Sequence, residues 1–342
     1  MPLGFAIVGA GNIAGVQVEA IKHITEARVV VITGRGEENG RALAATAEAD
    51  WIRDLASAVS HPDVDIVSIC TPSGAHLEPA LVAAKAGKHL MIEKPLEITT
   101  DRMDSIIEAV KEAGVTLTCF FPSRFMIGVK KVKEAIIEGR LGKIVLADAF
   151  VKWYRSQEYY DVGWRGTWAL DGGGALMNQS IHSIDMLQWL AGPVESVFGL
   201  TQTSRHGMET EDTATAALSF RSGAMGVIQG ATSCWPGQPA KVELRGTEGT
   251  IVLQEGRIVT WKLKDSSEDE ELEMLSLEAP VGSGSSDPMG IGFEMHQRQI
   301  SETIAAIQSG DKPSIDGIEA RKSVEIILAI YQSVRDGSPV LL

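Results

Sequence analysis

Three side chains that could exchange protons or hydrogen bonds with a ligand follow a run of glycines. Asn178 and His182 are four residues apart and Asp185 is three further on, in a stretch that follows residues 172–174 and has the apolar spacing of a helix. At helical spacing the amide, the imidazole and the carboxylate project from one side of the helix. Burying three polar groups together is costly unless something binds them. The pattern therefore favours a binding or catalytic site over a histidine that is satisfied in the core.

A lysine occupies a second position suited to chemistry. The run His89–Ile92 is predicted to be a strand, and Glu93-Lys94-Pro95 leaves its carboxyl end, where ligands lie in parallel sheets. An ammonium group there can hydrogen-bond a substrate oxygen and stabilise negative charge that develops on it. The alternative is a simple turn in which the proline ends the strand.

The glycines that could hold a cofactor come at the start of the chain. The motif Gly9-x-Gly11-x-x-Ala14 follows a predicted strand, Phe5–Val8, and precedes a helical stretch and a second strand. This is the context of the dinucleotide-binding fingerprint. Gly9 allows the tight turn, and Gly11 lets a pyrophosphate approach the backbone at the helix N-terminus.

The residues after the second strand bear on the choice between NAD and NADP. An enzyme that uses NAD is expected to carry Asp or Glu there to bind the ribose, but this chain has Thr33-Gly34-Arg35. Gly34 would accommodate a 2′-phosphate and Arg35 would pair with it. The sequence therefore favours NADP without excluding NAD. The alternative is that Arg35 is a solvated turn residue.

An aromatic and arginine-rich loop directly precedes the glycines at 172–174. It contains Tyr159, Tyr160, Trp164 and Arg165. Aromatic faces combined with a few polar groups are typical of sugar-binding sites. We expect the loop to line the mouth between two domains, and the alternative is an aromatic contact between subunits.

The order of the predicted elements indicates an α/β protein with two domains. Strands and helices alternate over residues 1–121, which predicts an NAD(P)-binding Rossmann domain with a doubly wound parallel sheet. From about Gly142, alternating strands predict a substrate-binding and oligomerisation domain over 122–342, of α+β type with a large, open, mostly antiparallel sheet. The acidic region 264–273 is predicted to be a solvated loop or edge, and 282–286 a flexible connection.

The bulk composition excludes several classes of function. The 342-residue chain carries a net charge of −14, which argues against binding to nucleic acid or to an anionic membrane surface. The three cysteines have no metal-binding spacing, so we predict no metal and a reduced, cytoplasmic protein. No apolar run is long enough to span a bilayer.

The combined motifs resemble those of the Gfo/Idh/MocA oxidoreductases, the glucose–fructose oxidoreductase and inositol dehydrogenase family. The resemblance covers essentially the whole chain. It implies a Rossmann domain, a second domain on a large open sheet, and hydride transfer between a nicotinamide cofactor and a sugar or cyclitol hydroxyl. It also implies a homodimer or homotetramer that forms through the open sheet face. The motifs that carry it are Gly9-x-Gly11-x-x-Ala14, Thr71-Pro72-Ser73-x-x-His76, Glu93-Lys94-Pro95 and Gly172-Gly173-Gly174 through His182-x-x-Asp185.

The resemblance further implies roles for individual residues. Lys94 and His182 stand at the family's catalytic lysine and histidine, and Asp185 at a substrate-contacting aspartate. Asn178 stands where inositol-type members have Asp, and the Asn-Gln-x-x-His form is similar to UDP-N-acetylglucosaminuronate 3-dehydrogenases and related sugar dehydrogenases. The implied substrate-binding residues are Asn178, Asp185, Tyr159, Tyr160 and Arg165. The implied cofactor-binding residues are Gly9, Gly11, Asn12, Ile13, Gly34, Arg35, Thr71, Pro72, Ser73, His76, Glu93, Lys94, Trp164 and Arg165.

The implied mechanism divides the work between two side chains. Neutral His182 takes the proton of a sugar hydroxyl while Lys94 binds the same oxygen and Asn178 orients it. Two other functions stay open, namely a non-catalytic NAD(P)-responsive regulator of the same fold and an NAD-dependent glycosidase. The presence of Lys94, His182 and Asp185 argues against the regulator.

Overall fold

A computed structural model describes residues 2–277 and 292–342. The chain forms two compact units, one made of residues 1–122 with 292–321 and the other of residues 123–291 with 322–342. The division predicted from the sequence placed residues 292–321 in the second domain, whereas in the structure they belong to the first unit. The predicted flexible connection at 282–286 lies outside the described residues.

The first unit contains a six-stranded parallel sheet in the order β3-β2-β1-β4-β5-β6. The order reverses between β1 and β4, which is where doubly wound sheets bind their ligands. The predicted Rossmann sheet is therefore confirmed. Its strands are β1 Leu3–Val8, β2 Ala27–Thr33, β3 Asp50–Trp51, β4 Ile66–Ile69, β5 His89–Ile92 and β6 Leu117–Cys119. The α-helices that connect these strands along the chain are α1 Asn12–Lys22, α2 Glu37–Ala47, α3 Leu55–Val59, α4 Leu77–Lys85 and α5 Thr100–Ala113.

The second unit contains an eight-stranded sheet in the order β13-β12-β11-β7-β10-β9-β8-β14. Its strand pairs are antiparallel except for β7 with β10, which confirms the mostly antiparallel prediction. The strands are β7 Ile144–Lys152, β8 Val194–Gln202, β9 Thr213–Phe220, β10 Met225–Ala231, β11 Lys241–Gly246, β12 Gly249–Gln254, β13 Arg257–Leu263 and β14 Val340–Leu341. In this unit, helix α6 Ile127–Ile137 precedes β7, and helices α7 Gln157–Tyr160 and α8 Ile181–Ala191 lie between β7 and β8 in the chain.

One face of this second sheet carries exposed apolar side chains. Along β8, Val197 is buried whereas Phe198 and Leu200 are 41% and 62% exposed, and Met225 on β10 is 61% exposed. Alternate residues of a strand point to opposite faces of its sheet. The buried positions therefore face the helices, and the exposed positions form an open apolar face.

Three helices complete the fold. The acidic region predicted to be a loop contains α9, Glu268–Ser276. Ser267 accepts a hydrogen bond from the Glu270 amide, and the acidic first turn complements the helix dipole, so this prediction was wrong for a local reason. α10 spans Glu294–Ser309 and α11 spans Gly317–Asp336. Among the described residues, no helix is long and apolar enough to cross a membrane.

α10 completes the core of the first unit. Its Ile300 and Ile304 are buried in the same apolar cluster as Phe5 and Ile7 of β1. Its Gln299 donates a hydrogen bond to the Cys119 carbonyl at 2.7 Å. A helix near the C-terminus thus helps to fix the end of β6, at the edge of the sheet where the cofactor motifs lie.

Candidate active site

The glycine motif forms an open cradle at the start of α1. Gly9 has a φ of +108°, and its amide donates to the Thr33 carbonyl at 2.8 Å. A β-carbon built on Gly11 would meet no atom within 4 Å, so space lies beside the backbone where α1 begins. A helix N-terminus with free space in front of it suits a phosphate group. The residues present therefore fit a dinucleotide.

The turn after β2 leaves its cation exposed. In the ranges that the structure covers, no carboxylate pairs with Arg35, which is exposed. The nearby Glu37 instead pairs with Arg41 and Arg53. The arrangement leaves the Arg35 guanidinium accessible to an anion.

His76 connects two of the cofactor motifs. Its ring is buried, with Nδ1 2.9 Å from the Pro95 carbonyl and Nε2 3.0 Å from the Thr71 carbonyl. Thr71, Pro72 and Ser73 lead into this segment at the carboxyl end of β4. His76 thus ties that loop to the segment that follows β5.

Glu93 points into the interior of the first unit and is only 7% exposed. Its Oε1 accepts a hydrogen bond from Gln17 Nε2 at 2.6 Å and lies 3.5 Å from His296 Nε2. The Ser68 hydroxyl in turn donates to the side-chain oxygen Oε1 of Gln17 at 2.5 Å. Burial alone would raise the pKa of Glu93, but the hydrogen bonds from His296 and Gln17 and the charges of His296 and Lys94 together outweigh it, and the pKa is lowered. The carboxylate is therefore ionised beside half-buried Lys94.

Nothing near Glu93 in the sequence points to His296, because His296 belongs to α10. The partnership arises only when α10 returns to the first unit. Gln17 offered a weak signal, as a polar residue on the apolar side of α1, where it is fully buried.

Asn178 and His182 do not lie on one regular α-helix. The segment Ala175–Ser180 is a π-helical turn that continues directly into α8. Its wider turn changes the angles that α-helical spacing predicts, and such turns are frequent at functional sites. Both side chains are partly exposed.

The amide of Asn178 is held from both sides. Its Nδ2 donates to Asp171 Oδ1 at 2.5 Å, and its Oδ1 accepts from Gln179 Nε2 at 2.9 Å. Asp171 Oδ2 accepts from the Gly166 amide at 2.8 Å, and Gln179 Oε1 accepts from Arg155 at 2.9 Å. The network therefore fixes the orientation of the Asn178 side chain. The sequence assigned no role to Asp171, Gln179 or Arg155, although Gln179 belongs to the Asn-Gln-x-x-His form and Asp171 directly precedes the three glycines.

Asp185 occupies a different environment, at 1% exposure. Both of its oxygens accept hydrogen bonds from Arg124, from Nε at 2.7 Å and from the terminal nitrogen at 2.6 Å. The Arg124 guanidinium also lies 5.0 Å from the centre of the Trp189 ring. The structure therefore encloses Asp185 in the second unit, whereas Asn178 and His182 are partly exposed.

The aromatic loop joins the Asn178 network through Tyr159. The Tyr159 hydroxyl accepts from Gln179 at 2.7 Å, and the Arg165 guanidinium lies 3.9 Å from the Tyr159 ring centre and 5.4 Å from that of Trp164. Tyr160 is buried, and its hydroxyl is 2.7 Å from that of Thr232. Tyr159, Trp164 and Arg165 are thus partly exposed, while buried Tyr160 supports the loop.

Two segments of the chain match known protein families. Residues 3–121 match the oxidoreductase family with an NAD-binding Rossmann fold, and residues 129–252 match the GFO/IDH/MocA C-terminal domain. The structure of the WlbA dehydrogenase from Bordetella pertussis, in complex with NADH and UDP-GlcNAcA, is 33% identical, covers 100% of this chain and 99% of its own, and has a TM-score of 0.89.

Two curated relatives are similar over nearly their whole length. Myo-inositol 2-dehydrogenase from Thermotoga maritima is 26% identical over 98% of this chain and 97% of its own. The 1,5-anhydro-D-fructose reductase from Ensifer adhaerens is 26% identical over 97% of this chain and 96% of its own. With both family matches and a full-length relative above 30% identity, the chain belongs to the GFO/IDH/MocA family of NAD-binding oxidoreductases.

Proposed function

We propose that this oxidoreductase transfers hydride between a nicotinamide cofactor and a hydroxyl or keto group of a nucleotide-linked sugar acid of the UDP-N-acetylglucosaminuronate type. The observation that carries the proposal is the amide at Asn178, held between Asp171 and Gln179. A neutral amide in this position can hydrogen-bond a sugar hydroxyl without acting in the proton transfer. The WlbA relative, whose structure contains UDP-GlcNAcA, supports the same substrate class.

His182 is the proposed general base. A neutral imidazole can accept the proton of a sugar hydroxyl. In the reverse direction the imidazolium returns the proton to the same oxygen. The nicotinamide, when bound, supplies the hydride acceptor or donor.

Lys94 is the proposed ligand of the reacting oxygen. The ionised Glu93 carboxylate lies next to it in the chain, and an adjacent negative charge favours the cationic form of a lysine. A cationic ammonium group stabilises the negative charge that grows on the oxygen as the proton leaves. Asp185 is enclosed by Arg124, so we assign it the task of positioning α8.

The two units divide the remaining tasks. We assign cofactor binding to the first unit, through Gly9, Gly11 and Arg35, and substrate binding to the second, through Asn178, Tyr159 and Arg165. The exposed apolar face of the second sheet is the proposed surface for self-association into a homodimer or homotetramer. Light scattering of Leu200→Glu tests this, because a charge on that face should dissociate the oligomer.

NADP is the proposed cofactor, because Arg35 is exposed and no carboxylate is found at the end of β2. The NADH in the WlbA structure favours NAD as the second candidate. Equilibrium titration of both cofactors decides between them. Arg35→Ser should weaken NADP binding roughly 10- to 100-fold, as expected for a lost charge-assisted contact, and should leave NAD binding nearly unchanged.

A second candidate substrate is a cyclitol, because myo-inositol 2-dehydrogenase is similar over the whole chain. The deciding experiment follows formation of reduced nicotinamide with UDP-N-acetylglucosaminuronate, myo-inositol and, as a matched control without the carboxylate, UDP-N-acetylglucosamine. Sustained reduction with the sugar acid alone is the expected result. Turnover with myo-inositol alone would show that the substrate is a cyclitol and not a sugar acid. Tight cofactor binding without turnover of any of the three compounds would favour a regulator.

A further inference from the structure

A buried carboxylate from a distant loop holds the start of the helical segment that bears Asn178 and His182. Glu211 precedes β9 and is 4% exposed. Its Oε2 accepts a hydrogen bond from the Gly174 amide at 3.0 Å, and its Oε1 accepts one from the Leu176 amide at 2.8 Å. The main-chain carbonyl of Glu211 accepts a third, from the Ala175 amide at 2.9 Å.

A tyrosine from α11 completes this arrangement. The Tyr331 hydroxyl donates to Glu211 Oε1 at 2.9 Å, and the Tyr331 ring is almost fully buried. A β-carbon on Gly173 would collide with the Tyr331 hydroxyl, and one on Gly174 would collide with the Glu211 carbonyl. Two of the three consecutive glycines are therefore explained by the close approach of these two residues.

The contacts fall on backbone groups that need partners. The first amides of a helical segment have no acceptor within the segment itself, and a negative charge there complements the helix dipole. Glu211 satisfies amides on both sides of the point where the π-helical turn begins. The position of this turn decides the direction in which the side chains at 178 and 182 leave the helix.

We propose that Glu211 and Tyr331 form a clamp on the glycine loop that positions Asn178 and His182 for proton transfer. The inference rests on the catalytic role proposed above for His182. Neither clamp residue needs to touch a ligand, so both are positioning residues. A shift of the π-helical turn by a fraction of an ångström would move the base away from the substrate hydroxyl, and misplacement of about 1 Å can cost roughly 100-fold in rate.

The ionisation state of Glu211 sets the strength of the clamp. Burial raises the pKa of Glu211 to about 7, although the backbone and Tyr331 hydrogen bonds act in the opposite direction. The groups that face the carboxylate are the amides of Gly174, Leu176 and Glu211 itself and the Tyr331 hydroxyl, and the charge of Asp171 also acts on Tyr331. Burial, and then the charge of Glu211, raise the pKa of Tyr331 far above its usual value, so the hydroxyl remains a donor.

Protonation of Glu211 therefore weakens the clamp. The carboxylate accepts hydrogen bonds from main-chain amides and from the Tyr331 hydroxyl, whereas a protonated carboxyl group presents one donor of its own to them. The clamp is complete only when Glu211 is ionised, above about pH 7. Turnover should accordingly contain an ionisation that belongs to Glu211 in addition to that of His182.

Two variants and one matched control test the clamp. Glu211→Gln removes the charge and turns one acceptor into a donor. Tyr331→Phe removes a single donor and keeps the ring. Glu209→Gln makes the same carboxylate-to-amide change two residues away, in an exposed side chain that accepts a hydrogen bond from the Trp168 amide. For each variant, kcat and KM are measured against pH with UDP-N-acetylglucosaminuronate, and the cofactor Kd is measured by titration.

Glu211→Gln should lower kcat roughly 10- to 100-fold, leave the cofactor Kd unchanged and remove one of two ionisations from the kcat profile. Tyr331→Phe should shift that ionisation to higher pH, because the carboxylate loses a stabilising donor, and Glu209→Gln should match the wild type. If Glu211→Gln does not fold, the shift of this ionisation in the kcat profile of Tyr331→Phe is the deciding test of the clamp. A profile in Tyr331→Phe that matches the wild type would overturn the clamp. The proposed function fails separately, if His182→Ala retains wild-type turnover.

Discussion

The side-chain amide of Asn178 donates a hydrogen bond to the Asp171 carboxylate at 2.5 Å. This contact, together with the hydrogen bond from Gln179, determines which end of the amide faces each neighbour. It also restricts what position 178 can tolerate, because the partner at the amide nitrogen is an acceptor.

Asn178→Asp should therefore be destabilising in a way that depends on pH. The substitution places a second carboxylate against Asp171, and two carboxylates that share a site cannot both ionise without repulsion. The melting temperature should fall below that of the wild type by more at pH 8 than at pH 5. Asn178→Ser keeps a polar group without the charge and serves as the control. A melting difference that does not change with pH would contradict the observed contact.

Asp185→Asn should strongly destabilise the second unit. The substitution removes the negative charge that the buried Arg124 guanidinium binds, and breaking a buried ion pair from one side typically costs about 3–5 kcal/mol. The free energy of unfolding, measured with urea, provides the test. Asp63→Asn removes the exposed partner of Arg28 and should cost less than about 1 kcal/mol. Equal costs for the two variants would show that Asp185 is not enclosed as described.

Glu211 should make the stability of the protein depend on pH in a defined direction. Its pKa is raised to about 7 in the folded protein from an ordinary 4.5, so the folded state holds a proton that the unfolded state has lost. The resulting stabilisation is complete below about pH 4.5 and is lost as the pH rises to about 7, with an upper bound of ~3 kcal/mol.

The measurement compares unfolding free energies of the wild type and Glu211→Gln across this range. The unfolding free energy of the wild type minus that of Glu211→Gln should fall as the pH rises. The same difference taken with Glu209→Gln should stay constant. If the unfolding free energy of the wild type minus that of Glu211→Gln rises with pH instead, the pKa of Glu211 is not raised in the folded protein.

Local motifs were predictable from the sequence because their partners lie within a few residues. The turn at Gly9 and Gly11, between a strand and a helix, is a property of one short segment. The helix α9 was missed although its cap, Ser267, is also local, because the acidic composition suggested a solvated loop.

The contacts that complete the candidate site join distant parts of the chain. Asp185 is 61 residues from Arg124, and Glu211 is 120 residues from Tyr331. Neither partnership leaves a trace in the spacing of residues. The π-helical turn could not be predicted either. Over only six residues, an α-helical and a π-helical turn show the same pattern of apolar residues.

His182 is the residue proposed to move the proton, and the turnover of His182→Ala tests this role directly. The loss of a positioned general base typically lowers kcat by about 10²–10⁴-fold. Cofactor affinity should stay nearly unchanged, because Gly9, Gly11 and Arg35, to which we assign cofactor binding, belong to the first unit. The variant should also lack the imidazole ionisation in its pH profile for sugar oxidation. Near wild-type turnover with an unchanged pH profile would contradict the role proposed for His182.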